Sequence, residues 1–241
     1  MPISLIRSAW AGSAKYGALV WSGDIVSTFE CFRRQVQAGL NMAIAGIPWW
    51  TTDIGGFHGA RTDDPDFHRL YIRWFEYGCF CPVMRLHGNR NPQEGYGAEQ
   101  IGSGSDNEIW SFGDKAYEIS KKYIFLRERL RDYIRTQMKK AHEDGTPMMR
   151  PVFYDFPTDQ ESWNVEDAYL FGPDLYVAPV MEDHVTEREV YLPDGTAWFN
   201  AWTGEKYEGG QNVTVAAPLD TIPVFVKEGA DAEKLLNIFS E

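Results

Sequence analysis

Two carboxylates, Asp24 and Asp53, each follow a short run of residues with the pattern of a β-strand. One helix's worth of sequence lies between the two runs. In a parallel strand–helix–strand unit both strands point the same way, so the two side chains would emerge at the same, carboxyl-terminal edge of the sheet. That edge is where α/β barrels keep their active sites. The spacing therefore predicts that Asp24 and Asp53 lie at one functional edge.

Further polar side chains follow two other strand candidates. Arg7 comes directly after residues 3–6, and Arg85 and His87 follow residues 81–84. Carboxylates, Arg and His in a cleft suit cleavage of a glycosidic bond, in which one acid protonates the leaving oxygen and another carboxylate stabilises or attacks the anomeric carbon. Judged from residue types alone, each carboxylate fits equally well as an anion at a helix N-terminus or as a surface charge.

Aromatic residues make up 15% of the chain, and four of its nine tryptophans surround the two carboxylates in sequence: Trp10, Trp21, Trp49 and Trp50. The C–H faces of a sugar pack on aromatic rings, while its hydroxyls bind carboxylates and Arg. The alternative is that these rings fill the core, where aromatics dominate burial. For each ring taken alone the two interpretations remain open.

The elements around the carboxylates are predicted from periodicity and capping. Ser27 and Glu30 form a capping box for a helix over about 28–38, with Gly39 at its end. The continuously apolar run 42–48 has the pattern of a strand buried on both faces. The resulting order is strand, Asp, helix, strand, Asp.

The pattern continues through the middle of the chain. A second helix is predicted from Pro65 to Gly78, because two aspartates and the proline form a typical helix start. Residues 89–112 form a long loop of the kind that is usually functional. A helix follows over 114–142, and the apolar run 148–153 is a further strand candidate.

After about residue 165 the chain consists of short β runs separated by turns that contain Gly, Pro and Asp. Six such runs precede the C-terminus, which is typical of an antiparallel sandwich. The predicted organisation is an α/β part over residues 1–160, followed by a β-sandwich over residues 161–241.

Composition excludes several classes of function. A net charge of −12 and a pI near 4.9 argue against a nucleic-acid or anionic-membrane partner. Cys31, Cys79 and Cys81 are predicted to be free thiols, since Cys79 and Cys81 with His87 lack the usual spacing of a metal site. With no long apolar run and no signal-like start, the sequence predicts a soluble, cytoplasmic protein.

Several segments together resemble glycoside hydrolase family 31, the α-glucosidases and α-xylosidases. They are colinear and cover essentially the whole chain, and they lie at residues 7–12, 21–24, 48–57, 85–89, 145–151 and 175–179. The resemblance implies that residues 1–160 form the C-terminal half of a (β/α)8 barrel, strands five to eight, ahead of the antiparallel β-sandwich.

The resemblance also implies roles for matched positions. Asp24 is similar to the general acid/base of a retaining mechanism, and Arg85 to a structural ion-pair partner of a neighbouring carboxylate. The side chains that would bind the sugar in the cleaved subsite are Arg7, Trp21, Trp50, Asp53 and His87. The implied substrate is the non-reducing end of an α-glucoside or α-xyloside, with no cofactor and no metal.

One feature of the family pattern is missing. The family nucleophile is an Asp in an Asp-x-x-Glu segment upstream of the position of Arg7, yet only six residues precede Arg7 here and none is acidic. Three alternatives remain open for the free chain: an inactive product, a half-barrel completed by a partner chain or by homo-oligomerisation, and a sugar-binding module without catalysis. An open half-barrel exposes an edge and apolar side chains unless another chain covers them.

Overall fold

A computed structural model describes residues 3–92 and 104–240. The N-terminal part contains a parallel sheet with strand order β1-β2-β3. Its strands are β1 (Ser4–Ile6), β2 (Ala18–Trp21) and β3 (Trp50–Thr51). Ile6 pairs with Val20, and Val20 pairs with Trp50. The carboxyl ends of all three strands therefore lie along one edge, as the sequence predicts.

Helix α1 (Phe29–Ile44) is longer than predicted. Its N-cap is Thr28, whose hydroxyl accepts from the Cys31 N–H, so the capping box predicted at Ser27 is wrong. Nor does Gly39 end the helix. The predicted strand over 42–48 is also wrong, because Leu40 and Ala43 continue the buried helical face and the strand begins only at Trp50.

Helix α2 (Pro65–Cys79) confirms the predicted start and extends one residue beyond the predicted end. The Asp64 carboxylate accepts from the Asp66 N–H and caps the helix. Eleven of the 15 residues of α2 are buried, including Trp74 and Tyr77, and the helix is buried on all sides from Leu70 onward. Cys79, the last residue of α2, and Cys81 just beyond it are buried free thiols, and burial raises the pKa of each to about 12.

The predicted fourth strand at 81–84 is not a strand. The segment nevertheless runs beside β3, because the Val83 N–H donates to Trp50 O and the Ile54 N–H donates to Arg85 O. Both bonds fit the register of a parallel pair with Val83 opposite Thr51 and Arg85 opposite Asp53. The two bonds that would lie between them, from the Thr52 N–H to Val83 O and from the Arg85 N–H to Thr52 O, are not formed, so no continuous ladder results. The segment still carries Arg85 to the edge where β3 ends.

The predicted helix over 114–142 is divided into α3 (Asp114–Arg129) and α4 (Arg131–Glu143), with the buried Leu130 between them. The predicted loop over 89–112 falls partly outside the described residues, since 93–103 are not described.

The rest of the chain forms antiparallel sheets, as predicted. The strands are β4 (Met149–Arg150), β5 (Tyr169–Phe171), β6 (Leu175–Val177), β7 (Glu187–Leu192), β8 (Ala197–Asn200), β9 (Lys206–Glu208), β10 (Gln211–Ala216) and β11 (Val224–Lys227). One sheet has six strands in the order β4-β5-β6-β11-β8-β9, and β7 pairs with β10 in a second sheet. Strand β4 joins this sheet although it precedes the boundary predicted at 160.

Alternation along the six-stranded sheet gives it two buried faces. Leu170, Tyr176 and Phe225 pack toward the β7–β10 pair, whereas Val177 and Val226 pack against the helices of the N-terminal part. Helix α5 (Ala232–Ser240) closes the chain. One hydrophobic core is therefore shared by the N-terminal part and one face of the six-stranded sheet, and a second core lies between the other face and the β7–β10 pair.

Arg73 on α2 ties the parts together. Its guanidinium is 3% exposed and lies 3.2 Å from Glu76. It also donates to backbone carbonyls of the sandwich loops, those of Val185, Ala217, Pro218 and Thr221. No helix in the described part of the chain is long and apolar enough to cross a membrane.

Candidate functional site

The exposed end of the parallel sheet carries an ion pair. Arg7 directly follows β1 and Asp24 lies three residues beyond β2, and the Arg7 Nη2 atom is 2.5 Å from Asp24 Oδ2. The Arg7 and Asp24 side chains are 62% and 39% exposed, so both face solvent. The hydrogen bond and charge of Arg7 lower the pKa of Asp24 below its usual value.

Trp21 lies between two arginines. The Arg7 Cζ atom is 5.7 Å from the centroid of the Trp21 ring, and the Arg85 Cζ atom is 5.8 Å from it. Both distances are within the range of cation–π attraction. The indole thus links the arginine that pairs with Asp24 to the one that pairs with Asp53, and it is only partly buried.

Asp53 is enclosed rather than exposed. Its side chain has no exposed surface, and its Oδ1 accepts a hydrogen bond from Arg85 Nη1. Oδ2 is buried without a hydrogen-bond donor among the described residues. Burial raises the pKa of Asp53, while Arg85 and His87 favour its ionised form. The ion pair with Arg85 confirms the structural role predicted for that arginine.

His87 is exposed at the same edge, with its ring 5.4 Å from that of Phe57. His58, the next residue after Phe57, packs edge-on against Phe57 at 4.5 Å. Both histidines lie close enough to Asp24 for their positive charge to lower its pKa further. The edge therefore brings Arg7 and His87 together around the exposed Asp24 carboxylate.

The loops that follow the strands are held in strand order by backbone hydrogen bonds. The Phe57 N–H donates to Ile25 O, the Ser27 N–H to His58 O, and the Asn89 N–H to Phe57 O. Gly56 permits this approach: it has a φ of +77°, and a Cβ there would lie 2.7 Å from Ser27 Cα. The loop after β3 is thus fixed between its two neighbours.

Arg90 holds the same loop from behind. Its side chain is fully buried and donates to the carbonyls of Ile54 and Gly56, at 3.0 and 2.7 Å, and to Asn107 Oδ1 at 2.8 Å. The guanidinium lies 4.8 Å from the centroid of the Phe67 ring on α2. Burial lowers its pKa to about 10, so Arg90 remains cationic at neutral pH. It positions the segment between Asp53 and His58.

Trp50, which is predicted to help wall the sugar subsite, lies inside the core. It is 4% exposed and belongs to the hydrophobic core. A Cβ at Gly39 of α1 would lie 2.7 Å from Trp50 Nε1, so the indole packs directly on the helix backbone. Because Val20 pairs with Trp50 and Trp21 with Thr51, Trp21 and Trp50 point to opposite faces of the sheet.

Sequence reasoning missed His58 and Arg90. Arg90 directly follows the segment 85–89 that carries the family resemblance, and His58 directly follows 48–57, so extending each segment by one residue would have included both. Their roles depend on packing between loops 30 or more residues apart, for which no local signal exists.

The arrangement suits binding of a neutral, hydroxyl-rich ligand with proton exchange at Asp24. An exposed carboxylate beside Arg, His and an indole face offers acceptors, donors and an apolar surface for a sugar. Within residues 3–92 and 104–240, no three His, Cys, Asp or Glu side chains gather in a way that would hold a metal ion.

Comparison with protein families and known proteins finds similarity along most of the chain. The model of the glycosyl hydrolases family 31 TIM-barrel domain matches residues 1–137, and that of the family 31 C-terminal domain matches residues 145–230. An alpha-xylosidase from Saccharolobus solfataricus is 39% identical over 95% of the chain, and alpha-glucosidase 2 from Bacillus thermoamyloliquefaciens is 35% identical over 95%.

Solved structures show the same likeness. The crystal structure of a family 31 alpha-xylosidase from a soil metagenome, complexed with xylose, is 54% identical and superposes with a TM-score of 0.92 over 97% of the chain. The chain spans 36% of that protein, 29% of the Saccharolobus enzyme and 27% of the Bacillus enzyme.

Proposed function

Because the chain belongs to glycosyl hydrolase family 31, we propose that it supplies the acid/base part of the active site of a retaining α-glycoside hydrolase of the α-glucosidase or α-xylosidase type. The substrate would be the non-reducing terminal sugar of an α-linked glycoside. The observation that carries the proposal is the exposed Asp24 carboxylate, hydrogen-bonded to Arg7 beside Trp21 at the carboxyl edge of parallel strands.

Asp24 would protonate the departing glycosidic oxygen and later take a proton from water. Arg7, with a smaller contribution from His58 and His87, holds Asp24 in its ionised form, which is the base and not the acid. A second carboxylate at the ~5–5.5 Å separation of retaining enzymes would oppose Arg7 and raise the pKa of Asp24. The second carboxylate is therefore required twice, for the acid role of Asp24 and for the nucleophilic step.

Asp53 is poorly suited to be that nucleophile. Its carboxylate is shielded from solvent and bound by Arg85, so it would have to break a buried ion pair to reach an anomeric carbon. Residues 1–6 contain no acidic side chain. We therefore propose that the nucleophile lies on a segment outside these 241 residues. The chain spans only 36% and 29% of two of the relatives, which leaves most of their length to supply such a segment.

The sugar itself would be bound by exposed groups of the edge. Arg7 and His87 offer hydrogen bonds to its hydroxyls, and Trp21 offers an apolar face. Asp53 would act through Arg85, which is 22% exposed, by holding the guanidinium against Trp21. This arrangement keeps Arg7, Trp21, Asp53 and His87 in the proposed site and leaves Trp50 out.

Hydrolysis of α-xylosides and α-glucosides tests the proposal. The chain would be assayed alone, and together with the protein segment that supplies the nucleophile, on nitrophenyl glycosides and on an α-linked disaccharide. The xyloside comes first, since the α-xylosidase that superposes at 0.92 was crystallised with xylose. We expect hydrolysis only with the added segment.

The Asp24→Asn variant separates acid catalysis from binding. Nitrophenolate leaves without protonation, so loss of the acid should reduce disaccharide cleavage by about 10²–10⁴-fold and affect the nitrophenyl substrate less in the bond-breaking step. Equal losses on both substrates would contradict the acid role. Turnover by the chain alone, abolished in Asp24→Asn, would contradict the external nucleophile.

A sugar-binding module without catalysis is the second candidate, favoured by the exposed Arg7 and His87 beside the half-buried Trp21. Quenching of tryptophan fluorescence by xylose or glucose, lost in Arg7→Gln, with no hydrolysis in either assay, would favour it over the enzyme.

A further inference from the structure

A cleft lies at the opposite end of the N-terminal part from Asp24. Helix α1 begins near the carboxyl edge of the sheet, and its last residue, Ile44, lies about 22 Å further along the helix at 1.5 Å per residue. The last two turns of α1 face the segment between β4 and β5, two strands of the six-stranded sheet. The cleft between them has a volume of about 410 Å³, within the range of small-ligand pockets.

One wall of the cleft is a fixed pair of aromatic rings. Phe153 and Trp163 are stacked with centroids 4.4 Å apart and planes 5° from parallel. Trp163 remains 55% exposed although one of its faces is covered. Its Nε1 donates to Pro157 O at 3.1 Å, so the indole is held in place and its only donor is already used.

The opposite wall supplies hydrogen-bond acceptors. Gln37 Nε2 donates to Glu166 Oε2 at 3.1 Å across the cleft, and Asn41 Nδ2 donates to Gln37 O. Among the described residues, no donor contacts Gln37 Oε1, Asn41 Oδ1 or Glu166 Oε1. No Lys or Arg of the described chain lines the cleft. These groups favour a ligand that donates hydrogen bonds, and they disfavour an anion.

We propose that this cleft is a second, non-catalytic binding site for a neutral α-linked oligosaccharide. Sugar C–H faces would pack on the Phe153–Trp163 pair, and hydroxyls would donate to Gln37, Asn41 and Glu166. The preformed rings and the Gln37–Glu166 bond lower the cost of ordering the site on binding. A polymeric substrate held here would be retained near the catalytic edge by effective concentration.

The choice of an α-linked sugar as the ligand rests on the proposed function. The geometry of the cleft does not depend on that function. The test therefore measures binding without hydrolysis. The 241-residue chain, labelled with 15N, would be titrated with maltohexaose and with isomaltotriose while the indole N–H signals are followed. We expect saturable shifts of the Trp163 indole and of the Gln37 side-chain amide.

Three variants test which side chains contribute to sugar binding in the cleft. Trp163→Ala should weaken the binding followed at Gln37 at least about fivefold, since it removes the stacking face. Phe125→Ala is the matched control, because Phe125 on α3 is also 55% exposed and lies outside the cleft. Glu166→Gln keeps the shape of the cleft and should weaken binding more mildly.

Three results would overturn the proposal. These are an unmoved Trp163 signal up to the solubility limit of both sugars, unchanged affinity in Trp163→Ala, and concentration-dependent broadening that Trp163→Ala relieves. The last result would indicate that a second copy of the chain occupies the cleft. Asp24→Asn should bind as the parent chain does, so failure of the catalytic proposal would leave this result intact.

Discussion

Arg7 and Asp24 form an ion pair with 2.5 Å between Nη2 and Oδ2, although 16 residues, including all of β2, separate them in the chain. The pair exists because β1 and β2 are parallel neighbours whose ends meet at one edge. It leaves Asp24 ionised and exposed, with Trp21 beside it. The chemistry available to the edge depends on which other charges approach this carboxylate.

The pKa of Asp24 should lie below its ordinary value of 3.8 in this chain, since Arg7 favours the charged form. Arg7→Gln should raise it, as followed by 13C NMR of the carboxyl carbon. A carboxylate whose folded pKa is lowered adds stability above pH 3.8 that is lost as the pH falls through the folded pKa. Arg34→Gln, which removes an exposed pair with Glu30, is the control and should leave the Asp24 titration unchanged. An equal Asp24 pKa in parent and Arg7→Gln would contradict the pairing.

Arg90→Lys should destabilise the chain and disturb the edge. Lysine cannot reproduce the fork that bonds Ile54 O, Gly56 O and Asn107, and a charged hydrogen bond is worth roughly 1.5–3 kcal/mol. We expect the free energy of unfolding in urea to fall by about 2–4 kcal/mol. The His58 and His87 ring signals should shift with it. Arg61→Lys, at an exposed pair with Asp63, should not change the free energy of unfolding measurably. An Arg90→Lys variant as stable as the parent chain would disprove the positioning role.

Glu76 should make stability fall as the pH rises. Burial raises its pKa to about 8, against 4.5 unfolded, although Arg73 favours its charge. The folded state thus keeps a proton that the unfolded state has lost, so the free energy of unfolding decreases from about pH 4.5 to about pH 8. Glu76→Gln should flatten this slope in urea unfolding measured at pH 5 and pH 8. A flat profile for the parent chain, or the same slope in the Gln variant, would contradict the assignment.

Gly39→Ala should be destabilising although alanine is the better helix former by about 1 kcal/mol. The new methyl would lie 2.7 Å from Trp50 Nε1, and overpacking of this kind costs about 1–3 kcal/mol. The same change in a Trp50→Phe background should cost less, because the smaller ring frees the space. A double-mutant cycle from thermal unfolding measures this coupling, and additive effects would show that Trp50 does not pack on Gly39.

Much of the architecture follows from the sequence. The alternation of short β runs and turns after residue 165 predicts the antiparallel sheets, and the Asp-Asp-Pro start predicts α2. The predictions of secondary structure fail where the local pattern of residues is ambiguous. The apolar run 42–48 fits a strand as well as the end of a helix, and only the contact of α1 with β3 and β4 selects the helix.

By itself, the sequence determined the family, the order of elements and the edge at which Arg7, Asp24 and Asp53 meet, because those follow from chain order and from parallel strand geometry. Tertiary structure decided that Trp21 faces the site while Trp50 faces α1, and that Asp53 is buried under Arg85. The reason is that side-chain direction depends on register between strands about 30 residues apart. That register is set by packing between distant segments, which no local run of residues encodes.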